Sequence, residues 1–66
     1  MRIRLNGREH ETENGQSVAG LVVSLGLRPG MVAVEVNEHV VTRDRRDATI
    51  LKPADEVEVV TIMGGG

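Results

Sequence analysis

Sixty-six residues with a formal net charge of −2, no cysteine and no Phe, Tyr or Trp describe one small domain whose core is built from aliphatic side chains and methionine. A chain this short buries only about 60% of the surface its unfolded form exposes, so a deep enclosed pocket, and with it an enzyme built around an internal small-molecule site, is not expected. The missing aromatics and the negative balance disfavour nucleic-acid binding; the missing cysteines remove thiolate nucleophiles and disulfides and point to a reducing, cytoplasmic setting; and neither a membrane-length apolar run nor a signal-peptide pattern is present.

Met1-Arg2-Ile3-Arg4-Leu5 alternates apolar and charged residues, the pattern of a strand with one buried face. Asn6-Gly7 predicts a tight hairpin turn, because both central positions of a type I′ turn need positive φ. Arg8 to Thr12 reads as a polar return strand at a sheet edge, and Asn14-Gly15 as a second turn. Ser17 suits a helix N-cap, and Val18, Leu21, Val22 and Leu25 then form one apolar helical stripe. Gly20 falls inside that helix, where it costs up to about 1 kcal/mol against alanine; a close approach of the helix to a sheet would account for it. Gly26 is placed as a left-handed cap with Leu27 closing the helix end, and Pro29-Gly30 makes a turn.

Val32, Val34 and Val36 alternate as a third long strand. Asn37-Glu38-His39 reads as a bend, and Val40-Val41 as a short strand running into the mixed-charge loop Thr42 to Asp47. Ile50-Leu51 is expected to be a short buried patch and Lys52 to Asp55 a turn. Glu56 to Met63 reads as the last strand. A helix between a hairpin and a later strand is a crossover, which lets the first and last long strands lie parallel in the sheet centre with the helix across one face. That pattern predicts an α+β, ubiquitin-like β-grasp fold with four to five strands in a mixed sheet. The folded domain is expected over 1–63, with residues 64–66 as a tail.

The end of the chain is expected to carry the chemistry rather than to be a frayed terminus. Thr61-Ile62-Met63-Gly64-Gly65-Gly66 is an apolar strand pattern followed directly by three glycines, and the carboxyl of Gly66 is expected to be the terminal group. Glycine has no Cβ, so Gly64 and Gly65 can thread a channel too narrow for other residues. Fully extended, three of them reach roughly 10 Å, which suits insertion into another protein's active site.

Several short segments are similar in order and spacing to the bacterial sulfur-carrier family of the ThiS type, and together they span essentially the whole chain. They are Asn6-Gly7, Gly15-Gln16-Ser17-Val18, Val34-Glu35-Val36-Asn37, Val40-Val41-Thr42-Arg43, and Asp55 to Val60 leading into the terminal glycines. Two positions depart from the family pattern: Glu38, where it often has glycine, and Thr42, where it often has proline. The resemblance implies a carrier for synthesis of the thiazole ring of thiamine. An adenylating partner of the ubiquitin-activating (E1-like) type would use ATP and magnesium to activate Gly66. A sulfur donor, such as a relay fed by a cysteine desulfurase, would then leave a thiocarboxylate, and thiazole synthase would take the sulfur. The chain itself would be a co-substrate without catalytic residues or a permanently bound cofactor.

Other residues offer weaker signals. His10 and His39 lack metal-ligand spacing. Glu9, Glu11 and Glu13 alternate along the second strand, as a solvated edge guarded against aggregation or as an acidic steering stripe. Arg43 to Asp47 reads as a solvated loop, with Arg43 a docking candidate because the family pattern retains it. If Val57 and Val59 face the core, Val60 and Ile62 face the opposite side, and together with Met63 they form a candidate docking patch beside the tail. Competing readings with the same terminus are a carrier for another sulfur acceptor (molybdopterin, a tRNA base or an amino acid), a ubiquitin-like modifier of lysines, and an interaction module with no chemistry at Gly66.

Overall fold

The computed structural model describes residues 1–62. The boundary expected at residue 63, and Met63, Gly64, Gly65 and Gly66 themselves, lie outside the described residues.

Strands β1 (Arg2–Leu5) and β2 (Arg8–Glu11) pair antiparallel, with Leu5 opposite Arg8. Asn6 and Gly7 turn the chain at φ +51 and +80, the left-handed angles that asparagine tolerates and glycine adopts freely. Glu9 and Glu11 share a face of β2, whereas Glu13 lies beyond the strand, so the acidic stripe has two members rather than three.

Helix α1 (Val18–Ser24) starts where Ser17 Oγ accepts the Gly20 amide over 3.0 Å. Its end is a Schellman motif: the Gly26 amide donates to the Val23 carbonyl over 2.9 Å and the Leu27 amide to the Val22 carbonyl over 3.2 Å, with Gly26 at φ +74. Seven residues do not make a stable helix alone; Val18, Leu21 and Val22 are fully buried and hold it on the sheet. The close approach expected at Gly20 is real but has a different partner. A Cβ there would stand 2.6 Å from Gln16 Nε2 and 3.2 Å from Ser17 Oγ, so the crowding comes from the capping segment, not from the sheet.

A 3-10 turn (Pro29–Met31) leads into β3 (Val32–Val36), which pairs with the two-residue β4 (His39–Val40). The expected bend is a tight two-residue hairpin turn, because Val36 pairs with His39 and both Asn37 (φ +51) and Glu38 (φ +70) are left-handed. Glu38 therefore stands at an angle that favours glycine, and Thr42, at φ −64, at one that suits proline. A second 3-10 turn (Arg43–Arg45) and a long loop lead to β5 (Glu56–Thr61).

The five strands lie in the order β2-β1-β5-β3-β4, with β1 and β5 parallel and the other neighbours antiparallel. This is the predicted β-grasp arrangement. The core joins Ile3, Val18, Leu21, Val22, Val32, Val34, Val41, Leu51, Val57 and Val59. Two further expectations fail. Ile50 is half exposed, because its backbone forms an isolated bridge to Ser17, while Leu51 alone turns inward. The loop Arg43–Asp47 is not uniformly solvated, because Arg46 is buried at 6% exposure.

Candidate functional site: the open sheet face and the end of β5

Strand parity sorts the sheet into two faces. Val57 and Val59 point into the core at 1% and 7% exposure, while Val60 is 55% exposed on the other side. Val32 and Val34 likewise face inward and leave Ala33 and Glu35 outside. The register sets Ala33 opposite Val60 and Glu35 opposite Glu58, and on its other side Glu35 faces Val40. The open face thus has an apolar end towards Ile62, which is 48% exposed, and an acidic middle.

The charges on this face are unevenly matched. Arg2 Nε donates to Glu11 Oε1 over 2.7 Å and Nη1 lies 3.6 Å from Glu9, while Arg4 Nε lies 3.4 Å from Glu56. The Arg2 hydrogen bond holds the Glu11 carboxyl below its ordinary pKa. Glu35 and Glu58 have no cationic partner among the described residues, although like charges directly opposite across a ladder repel. Glu35, Asn37, Glu38, Glu56 and Glu58 line an open depression there.

The end of β5 is held from two sides. The Ile62 amide donates to the Met31 carbonyl over 2.6 Å, one step beyond the Val32–Thr61 pair. The Arg43 guanidinium lies against the same turn: a Cβ on Gly30 would come within 3.1 Å of its Nη1. The Pro29–Met31 turn therefore brings together Ile62 and Arg43, two candidates far apart in sequence. Val60 sits nearby on the adjoining strand face, and Met63 lies outside the described residues.

His10 and His39 fall on the opposite edge strands β2 and β4. Among the described residues no group of three His, Asp or Glu side chains has metal-binding geometry, and no helix is long and apolar enough to cross a membrane. Sequence reasoning missed two features. Asn6 and Asn37 use their side-chain amides to grip β5, and among the described residues the Arg46 side chain hydrogen-bonds only backbone carbonyls. Asn6 and Asn37 carried a signal only for turns, and Arg46 looked no different from its charged neighbours.

Residues 3–66 match the sequence pattern of the ThiS family. The chain belongs to that family. A crystal structure of the thiamine biosynthesis protein (ThiS) from Geobacter metallireducens superposes with a TM-score of 0.86 at 33% identity, covering 100% of both chains. A solution structure of a thiamine biosynthesis protein from the same organism gives 0.80, covering 100% of this chain and 88% of the other. The chain is also 46% identical over 66 residues to a thiazole synthase of Magnetococcus marinus, but it spans only 20% of that protein's length. An uncharacterised protein of Trieres chinensis is 26% identical over 62 residues.

Proposed function

We propose that this chain is a sulfur carrier for the thiazole moiety of thiamine, with Gly66 as the carrying residue. The observation that supports it most is the family match, which runs from β1 through the terminal glycines and is accompanied by full-length likeness to a thiamine biosynthesis protein. Similarity to a thiazole synthase supports an acceptor of that type.

The chemistry follows from the carboxylate. With a reference pKa of about 3.3–3.7 it is ionised at neutral pH and is a poor electrophile. An E1-like partner supplies ATP and magnesium. A Gly66 carboxylate oxygen attacks the α-phosphorus, pyrophosphate leaves, and the acyl-adenylate is electrophilic. Sulfide attacks its carbonyl carbon and AMP departs with the bonding pair, leaving the thiocarboxylate. When a desulfurase-fed persulfide is the donor, a thiol must also reduce the resulting acyl disulfide. The carrier acts as co-substrate, and its surface around Val60, Ile62 and Arg43 docks the partners, with Met63 as the next residue along the chain to contribute.

Incubation with the adenylating partner, ATP, magnesium and sulfide should raise the intact mass by about 16 Da, one oxygen exchanged for sulfur. Deleting Gly66 should abolish the shift. A shift that survives the deletion overturns the assignment, and isopeptide adducts in place of the thiocarboxylate would indicate a protein modifier.

A further inference from the structure

Arg46 is a cation that solvent barely reaches. A guanidinium stays charged throughout the working pH range, and its burial is costly unless its donors are satisfied. No carboxylate pairs with it among the described residues. Its acceptors are backbone carbonyls: Nη1 donates to Pro29 over 2.9 Å, Nη2 to Val32 over 2.8 Å, and Nε, more weakly, to Val41 over 3.5 Å. The two short bonds straddle Met31, whose own carbonyl accepts the Ile62 amide over 2.6 Å. That amide is the last described before Met63-Gly64-Gly65-Gly66.

We propose that Arg46 is a positioning residue for the terminal segment. Its planar fork locks the Pro29–Met31 turn, so the Met31 carbonyl holds Ile62 and fixes where the segment bearing Gly66 begins. The inference rests on the carrier reading of Gly66. Arg43 lies against Gly30 on the same turn, which is thus contacted by one buried and one exposed arginine. Adenylation needs the carboxylate aligned with the α-phosphorus, and a misplacement of about 1 Å can cost roughly a hundredfold in rate. A loosened root lowers turnover, while Val60 and the rest of β5 before Ile62 stay fixed in the sheet, so KM changes less than kcat. Lysine retains the charge but donates from a single atom and cannot reproduce the fork.

The experiment compares the chain of residues 1–66 with Arg46→Lys and with Ser17→Ala, a helix-cap variant whose side chain hydrogen-bonds the Gly20 amide and not the turn. Native-state hydrogen exchange should show the Ile62 amide of Arg46→Lys opening about tenfold faster than wild type, with a much smaller change in Ser17→Ala. In ATP–pyrophosphate exchange with the adenylating partner, Arg46→Lys should lower kcat about tenfold with KM within about twofold. Unchanged Ile62 exchange overturns the proposal, as does a raised KM at constant kcat or an equal kcat loss in Ser17→Ala. If Arg46→Lys does not fold, wild-type exchange in urea decides: the Arg46 Nη protons and the Ile62 amide should open together with one urea dependence, and separate openings overturn it. If wild type is not adenylated at all, the carrier reading fails, while the exchange data still decide whether Arg46 braces Ile62.

Discussion

The side-chain amide of Asn6 pairs with Val59 as a second peptide group would: Nδ2 donates to the Val59 carbonyl over 3.1 Å and Oδ1 accepts its amide over 2.9 Å. The β1–β2 turn is thereby fastened to the central strand. Asn37 holds the start of β5 differently, its Oδ1 accepting the Glu56 amide over 2.9 Å and its Nδ2 donating to the Asp55 carboxylate over 3.0 Å. Both asparagines are left-handed turn residues, so each combines a permitted backbone with a grip on β5.

Asn6→Gly keeps the backbone angle and removes the grip. It should cost about 1–2 kcal/mol for two partly buried hydrogen bonds. Asn6→Ala should cost about 1 kcal/mol more, because alanine is strained at positive φ. Urea denaturation of both variants measures this, and equal stability of Asn6→Gly and wild type would count against the pairing.

Glu38 pays the left-handed penalty at φ +70 without the asparagine side chain's compensation. Glu38→Gly should stabilise the fold by about 0.5–1 kcal/mol, the relief of strain less the entropy glycine loses. Thermal melts test it, and a lower Tm would show that the side chain holds the turn in some other way.

Ile62→Glu should melt close to wild type, within about 0.5 kcal/mol, because the side chain is half exposed. Its binding to the adenylating partner or thiazole synthase should weaken about tenfold or more. Val59→Glu should unfold the domain, since it places a charge in the core. Calorimetry and titration separate the two, and tight partner binding by Ile62→Glu would remove this face from the docking surface.

Acid stability should depend on Arg2. The folded pKa of Glu11 is held below the ordinary 4.5 first by the Arg2 hydrogen bond. The unfolded chain therefore takes up this proton at higher pH than the folded one. The contribution is present above the unfolded pKa and is lost as pH falls through the folded value. Arg2→Met should return Glu11 to the ordinary range and remove that part of the acid-side slope. A carboxyl NMR titration reads both; an unmoved Glu11 would mean the exposed ion pair is not maintained in solution.

Patterns of period and turn chemistry determined most of the architecture. Alternation in Met1–Leu5, Val32–Val36 and Glu56–Thr61, the Asn6-Gly7 turn, the Ser17 cap and the Gly26 cap are local properties, each dictated by side-chain geometry within a few residues of chain. Parity in β5 likewise separated Val59 from Val60 before any contact was known, because successive strand side chains must point to opposite faces. Tertiary structure alone decided the long-range polar contacts. Arg43, Arg45 and Arg46 are the same residue type in one short run, yet only Arg46 meets the carbonyls of Pro29, Val32 and Val41. Those acceptors are backbone groups that every residue carries, so no sequence pattern marks them. They become a site only when chain folding brings the Pro29–Met31 turn, β3 and the Arg43–Arg45 turn to the same place.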